Sequence, residues 1–354
     1  MMTTTLFDFH PVTTSRLGSV DLENPAFGSV FSDHQFRMDF SDGQWSGGVI
    51  EPYGDMSLSP AAMALHYGQA IFEGMKAFRQ PDGGVALFRP ADNIARFNKS
   101  AERMCMPTID EGRFLNALTE LVKADSAWVP HGDGSSLYIR PFMFASEAHV
   151  GVKPSEAYRF IIFTCPVGTY YKGNVKVKVE TFFTRAAPGG TGYAKAAGNY
   201  AASLKPTALA REQGFDQILW TDAVEHKYIE ESGTMNVMFV LDGKLVSPSL
   251  GDTVLSGVTR DSVLKIAASQ GMEIEERKVP VAELKAAAES GALTEAFGVG
   301  TAATMTAIEA IGFPAETVPL GDPNGWEVMP KLAKTLDDLR RGKGEDPFGW
   351  RVVI

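Results

Sequence analysis

GGTGYAKAAGNY (residues 189–200) surrounds one lysine, Lys195, with Gly189, Gly190, Gly192, Ala194, Ala196, Ala197 and Gly198. Small neighbours let a flat group approach the amine closely. Taken alone, the segment also describes a surface lysine in a loop, since lysines are mostly exposed. It is not a phosphate-cradling P-loop, because the Gly-Lys-Ser/Thr ending is missing.

The flanking sequence alternates strand and helix signals. Residues 1–60 read as loop-rich, with Pro25, Gly28, Gly43, Gly47 and Gly48 interrupting any long element. GQAIFEGMKAFRQPDGGVALFRP predicts two strands around the turn Pro81–Gly84. Helical spacing follows over 93–104 and 113–125, where Phe114, Leu118, Leu121 and Val122 share a face. SLYIRPFMF and YRFIIFTCPV read as strands, and Val175, Val177 and Val179 alternate after the polar turn VGTYYKGN. Further on come DQILWTD and the hairpin MNVMFVLDGKLVSPS, whose Asp242-Gly243 pair suits a type I′ turn, and then helices over 259–270 and 281–290. Regular β-α-β alternation is absent, so the expected class is α+β in two domains. These are a small N-terminal domain over 1–167, an interdomain loop over 168–176 and a large C-terminal domain over 177–354 that carries Lys195.

Composition narrows the function classes. A net charge of -10, from 33 basic and 43 acidic residues without a Lys/Arg-rich run, argues against nucleic acid. An acidic chain that binds anions must concentrate positive potential locally, with single arginines or helix N-termini. No apolar run is long enough to span a membrane, and MMTTTLFDFH lacks the pattern of a secretory signal. Cys105 and Cys165 are too few and too far apart for a disulfide framework or a zinc site, and both read as buried, inert thiols in a cytoplasmic protein. The six histidines form no metal-ligand pattern, so no metal is expected.

Seven segments in order resemble the branched-chain amino acid aminotransferases, which are fold type IV pyridoxal-phosphate enzymes. They are LHYGQAIFEGMKAFR, LFRPADNIARFNKSAERMCMP, LYIRPFMF, GGTGYAKAAGNYAAS, ESGTMNVMFV, LSGVTRDSVL and AFGVGTAATMTAI. The resemblance implies pyridoxal 5′-phosphate between the two domains, held covalently by Lys195, whose amine then serves as general base and acid. It implies that Glu231 faces the pyridine nitrogen and Tyr200 the phenolic oxygen. Arg96, the amides of Val258 and Thr259, and Thr301 would hold the phosphate, and Leu255 would pack on the ring. GVGTAA (298–303) superficially matches a dinucleotide pattern, but the resemblance makes it a turn whose Thr301 and Ala302 meet phosphate and substrate carboxylate.

The implied substrate wall is Phe27, Tyr67, Phe72, Tyr138 and Tyr170, with Val152 contributed by a partner subunit. Such a wall suits leucine, isoleucine and valine, while Arg140 with Tyr67 would receive the distal carboxylate of glutamate or 2-oxoglutarate. The family assembles as homodimers. Three alternatives share the fold: D-amino acid aminotransferase, aminodeoxychorismate lyase and a non-catalytic cofactor-binding protein. Tyr138-Ile139-Arg140 and EGMKAFR favour the branched-chain branch. Animal members carry a Cys-x-x-Cys pair after the GTA turn; here the residues are Ala303-Thr304-Met305-Thr306.

Overall fold

The structure, a computed structural model, describes residues 6–23, 25, 27–168 and 173–354. The chain divides into two compact units. The first comprises Met1–Tyr170, Ala194–Ala197 and Leu339–Ile354, and the second Tyr171–Tyr193 and Gly198–Asp338. Both Lys195 and residues 339–354, expected in the C-terminal domain, thus group with the first unit. Two pairings explain this: Ala196 bridges Ile71, and the strand Arg351–Val353 runs antiparallel to Val85–Phe88.

In the first unit, the main sheet runs in the order Asp8–Phe9, Val49–Pro52, His34–Ser41, Tyr158–Val167, Ser136–Ala145, Met75–Arg79, Val85–Phe88, Arg351–Val353. The hairpin around Pro81–Gly84 is as expected, with Ala77 opposite Leu87. His34–Ser41, inside the supposedly loop-rich segment, is a correction. Its alternating Phe36 and Met38 are buried, and the glycines that disguised it lie just beyond its end. Gly48 is required there: its φ is +91°, and a Cβ would come within 2.8 Å of the Phe36 ring.

The helices Pro90–Arg103 and Glu111–Ala124 cover this sheet. Asp110 starts the second by accepting from the Arg113 amide at 2.8 Å. Phe97, Phe114 and the sheet residue Phe160 meet edge to face, with centroids 4.8–5.4 Å apart. This apolar contact fixes where Pro90–Arg103, which carries Arg96, lies on the sheet.

Pro90–Arg103 ends with Cys105 in the left-handed region at φ 54°. Its thiol is exposed, contrary to the expected burial, because the chain reverses there: the Met106 amide turns back to the Ala101 carbonyl. Cys165 is buried as expected, and burial pushes its thiol up to about 11. A left-handed position disfavours any residue with a Cβ. Cys105→Gly is therefore expected to raise stability by roughly 0.5–1 kcal/mol, read as a higher denaturant midpoint at unchanged slope. A lower midpoint would mean that the thiol makes contacts worth more than the backbone relief.

The second unit has its own sheet, in the order Ile274–Arg277, Lys244–Pro248, Asn236–Leu241, Leu293–Gly300, Thr304–Gly312, Val175–Val179, Gln217–Thr221, Tyr228–Ser232, Val279–Pro280. Parallel pairs at Val175–Val179 and Ile274–Arg277 interrupt a mainly antiparallel arrangement. Asp242 and Gly243 both have positive φ, 47° and 77°, as a type I′ hairpin needs. Val175, Val177, Leu219, Phe239 and Ile308 form its core. The mixed sheets with interspersed helices agree with the α+β reading. Among the described residues, no helix is long and apolar enough to cross a membrane.

Candidate active site

The first unit presents Lys195 by its main chain. Its amide donates to Ser100 Oγ at 2.9 Å, and its carbonyl accepts from the Phe72 amide at 3.1 Å. Ser100, fully buried, also donates to the Arg96 carbonyl at 2.9 Å. One helical turn thus links Arg96 to the lysine backbone. The ammonium of Lys195 sits 5.0 Å from the centre of the Phe72 ring.

The strand Ser136–Ala145 brings Tyr138 and Arg140 to the same face, two residues apart. Arg140 Nη2 donates to the Tyr138 hydroxyl at 2.9 Å, and its guanidinium lies 4.7 Å from the Phe72 ring centre. Phe27 meets Tyr138 edge-on at 5.2 Å. Gly74 admits this tyrosine, since a Cβ there would fall 2.2 Å from its hydroxyl. Lys195, Phe72, Tyr138, Arg140 and Phe27 therefore form one connected group. Among the described residues none accepts a hydrogen bond from buried Arg140 Nε, so this cation is less than fully satisfied by its own unit.

Arg96, 7% exposed, pairs side-on with the fully buried Glu73, Nε to Oε1 at 2.6 Å and Nη2 to Oε2 at 2.9 Å. Two other expected residues are exposed: Tyr67, at the end of the helix Met63–Tyr67, by 38%, and Val152 by 88%. Tyr170 and part of the 168–176 loop fall outside the described residues.

In the second unit, the strand Tyr228–Ser232 carries Glu231, 3% exposed. One oxygen accepts from the Leu255 amide at 2.6 Å and the other lies 3.4 Å from Arg185 Nε. The amide bond also fixes Leu255, whose carbonyl accepts from Asn236 Nδ2 at 2.9 Å. Gly257 begins the helix Val258–Ser269 without a side-chain cap, and a Cβ there would lie 2.0 Å from Asn236 Oδ1. Val258 and Thr259 thus occupy the positive end of a twelve-residue helix. Thr301 and Ala302 sit in the turn between the antiparallel strands Leu293–Gly300 and Thr304–Gly312, which is not a dinucleotide-binding β-α-β unit. Tyr200 lies in the helix Ala197–Ala202.

These residue types fit pyridoxal phosphate. A carboxylate held by an amide and a guanidinium suits a protonated ring nitrogen, and the positive helix end behind Gly257 suits a phosphate. Ser100, Glu73 and Arg185 were missed by sequence reasoning. Only Glu73 left a trace, as a lone acid within the apolar run AIFEGMKAF. Ser100 and Arg185 look like ordinary polar positions.

The amino-transferase class IV family model matches residues 70–311. Branched-chain-amino-acid transaminase 1 of Bacillus subtilis is 46% identical over 339 residues, covering 94% of this chain and 95% of that protein. Among solved structures, the Escherichia coli branched-chain amino acid aminotransferase superposes with a TM-score of 0.74 at 26% identity, over 89% of this chain and 98% of that one. The branched-chain aminotransferase of the thermophilic archaeon Thermoproteus uzoniensis, solved with norvaline, gives 0.73 at 26% identity, over 89% and 98%. Sequence likeness on this scale extends through both units, and the chain belongs to the class IV aminotransferases.

Proposed function

We propose that this protein is a branched-chain-amino-acid transaminase, exchanging the amino group of leucine, isoleucine or valine with 2-oxoglutarate to give branched 2-oxo acids and glutamate. The observation that carries the reading is the group Lys195, Phe72, Tyr138 and Arg140, an amine beside an aromatic wall that also holds a guanidinium. Pyridoxal 5′-phosphate, when bound, withdraws electrons from the substrate α-carbon and so makes its proton removable.

The chain's own residues do the rest. Lys195 Nζ holds the cofactor, removes the α-proton and redelivers it. Glu231 would keep a proton on the ring nitrogen, and Arg185 and the Leu255 amide hold that carboxylate in place. With the cofactor bound, Leu255 would pack on its ring and Tyr200 would donate to its phenolic oxygen. Arg96, Thr301 and the amides of Val258 and Thr259 would bind its phosphate, while Ala302 would meet the substrate carboxylate. Phe27, Phe72 and Tyr138 exclude water around an aliphatic side chain, and a wall that senses only methylenes discriminates by about 1–3 kcal/mol per group, so three aliphatic substrates can share it. The exposed Val152 suits a contribution to a second copy's site, and we propose a homodimer. Two free thiols far apart in sequence suit the reducing cytoplasm.

Separate half-reactions test this reading. The wild-type protein is expected to be yellow, to bleach with L-leucine and to recover with 2-oxoglutarate. Bleaching by D-alanine and not by L-leucine would instead favour the D-amino acid branch. Arg140→Ala is expected to lower kcat/KM for glutamate about 100-fold and for leucine less than about tenfold, since a buried carboxylate loses its charged partner but an aliphatic chain loses only packing. Equal losses for both substrates would remove Arg140 from the distal-carboxylate role.

A further inference from the structure

We propose that Glu73 is a positioning residue that aims the Arg96 guanidinium at the cofactor phosphate; this rests on the phosphate role proposed for Arg96. Glu73 has no exposed surface, and burying a carboxylate so completely carries a desolvation cost that a structural ion pair alone seldom repays. A well-packed apolar pair would serve stability as well. What the pair supplies is direction.

The carboxylate engages one edge of the guanidinium, through Nε and Nη2, in the side-on geometry that leaves a planar arginine little rotational freedom. The carboxylate is itself fixed. Its Oε2 accepts from the Gly74 amide at 3.0 Å, and the Glu73 amide donates to the Pro141 carbonyl at 2.7 Å. From the other side, Asn93 Oδ1 lies 3.5 Å from Arg96 Nη2, and Asn93 Nδ2 donates to the Arg89 carbonyl at 2.8 Å. The same helical turn ends at Ser100, which holds the Lys195 amide. Arginine direction and lysine backbone are thereby set by one rigid element, so the distance between the phosphate-binding group and the cofactor-holding group cannot drift independently. Phe72, whose ring faces the Lys195 ammonium and whose amide donates to the Lys195 carbonyl, is the residue directly before Glu73. The segment Phe72–Gly74 thus touches both groups.

A merely structural role and a positioning role differ in which cofactor portion they affect. Apoprotein of wild type, Glu73→Gln, Arg96→Ala and the double variant would be titrated with pyridoxal phosphate and with pyridoxal, which lacks the phosphate. Glu73→Gln is expected to weaken pyridoxal phosphate about 10–100-fold and pyridoxal less than about twofold, and to add little to Arg96→Ala in the double variant. Equal weakening of both compounds would make Glu73 structural and overturn the proposal. Wild-type affinities in Glu73→Gln alongside phosphate-selective loss in Arg96→Ala would overturn it too, leaving the Arg96 assignment standing. Wild-type affinities in Arg96→Ala would instead remove the phosphate role on which the proposal rests. If Glu73→Gln does not fold, Glu73→Asp gives the same readout: its shorter carboxylate cannot keep the side-on register, so the phosphate-selective loss should persist, and unchanged selectivity overturns the proposal.

Discussion

Lys195→Ala is expected to lower steady-state transamination about 10,000-fold while leaving the protein folded. The first half follows from one amine being asked both to hold the cofactor and to carry the α-proton. The second follows from the structure. The contacts that Lys195 makes with Ser100 Oγ and the Phe72 amide are through its own main chain, which alanine retains. The ammonium against the Phe72 ring is lost, a contact worth about 0.5–1 kcal/mol. Added small primary amines should restore some turnover by replacing the missing proton carrier. Near-normal multiple turnover without such an amine would defeat the functional reading as a whole.

Glu231→Gln is expected to slow α-proton removal by about 100–1,000-fold, measured in single-turnover mixing with L-leucine, with the cofactor still bound. Glutamine keeps the shape and can still accept from the Leu255 amide. It removes the charge that faces Arg185 and that, in the proposed role, would face the ring nitrogen. The consequence for Arg185 is separable. Arg185 is almost buried and would lose its ion-pair partner while keeping the Thr253 carbonyl, so stability should fall by roughly 1–3 kcal/mol. Arg185→Met combined with Glu231→Gln should recover part of the stability and none of the rate. A single variant with wild-type single-turnover rates would return Glu231 to the status of an ordinary buried acid.

Where local chemistry dictates structure, the sequence was readable. Asp242-Gly243 fixed a hairpin because few other pairs tolerate two positive φ values, and the Phe114, Leu118, Leu121, Val122 spacing fixed a helix because its apolar face must be buried. Lys195 stands out in the sequence by its small neighbours and the ordered flanking segments, and its role is the one proposed above. What escaped depended on contacts distant in sequence. His34–Ser41 is a strand because it pairs with Tyr158–Val167, and nothing near it announces that partner. The Arg96–Glu73 pair spans 23 residues and Ser100 to Lys195 spans 95, so neither leaves a periodic trace. Cys105 was misjudged because its apolar neighbours suggested burial, whereas the left-handed turn that ends its helix points the thiol outward.

The pairing of Arg351–Val353 with Val85–Phe88 has a consequence for synthesis. A ribosome adding ~5–20 residues per second needs roughly 13–50 s to travel from one of these strands to the other. Through that interval the nascent chain carries a short apolar strand, Val85–Phe88, with one row of amides and carbonyls still waiting for its neighbour. Such an open edge is where two unfinished chains on adjacent ribosomes would join wrongly. With only four residues, the waiting strand keeps that template short while the partner is still being made.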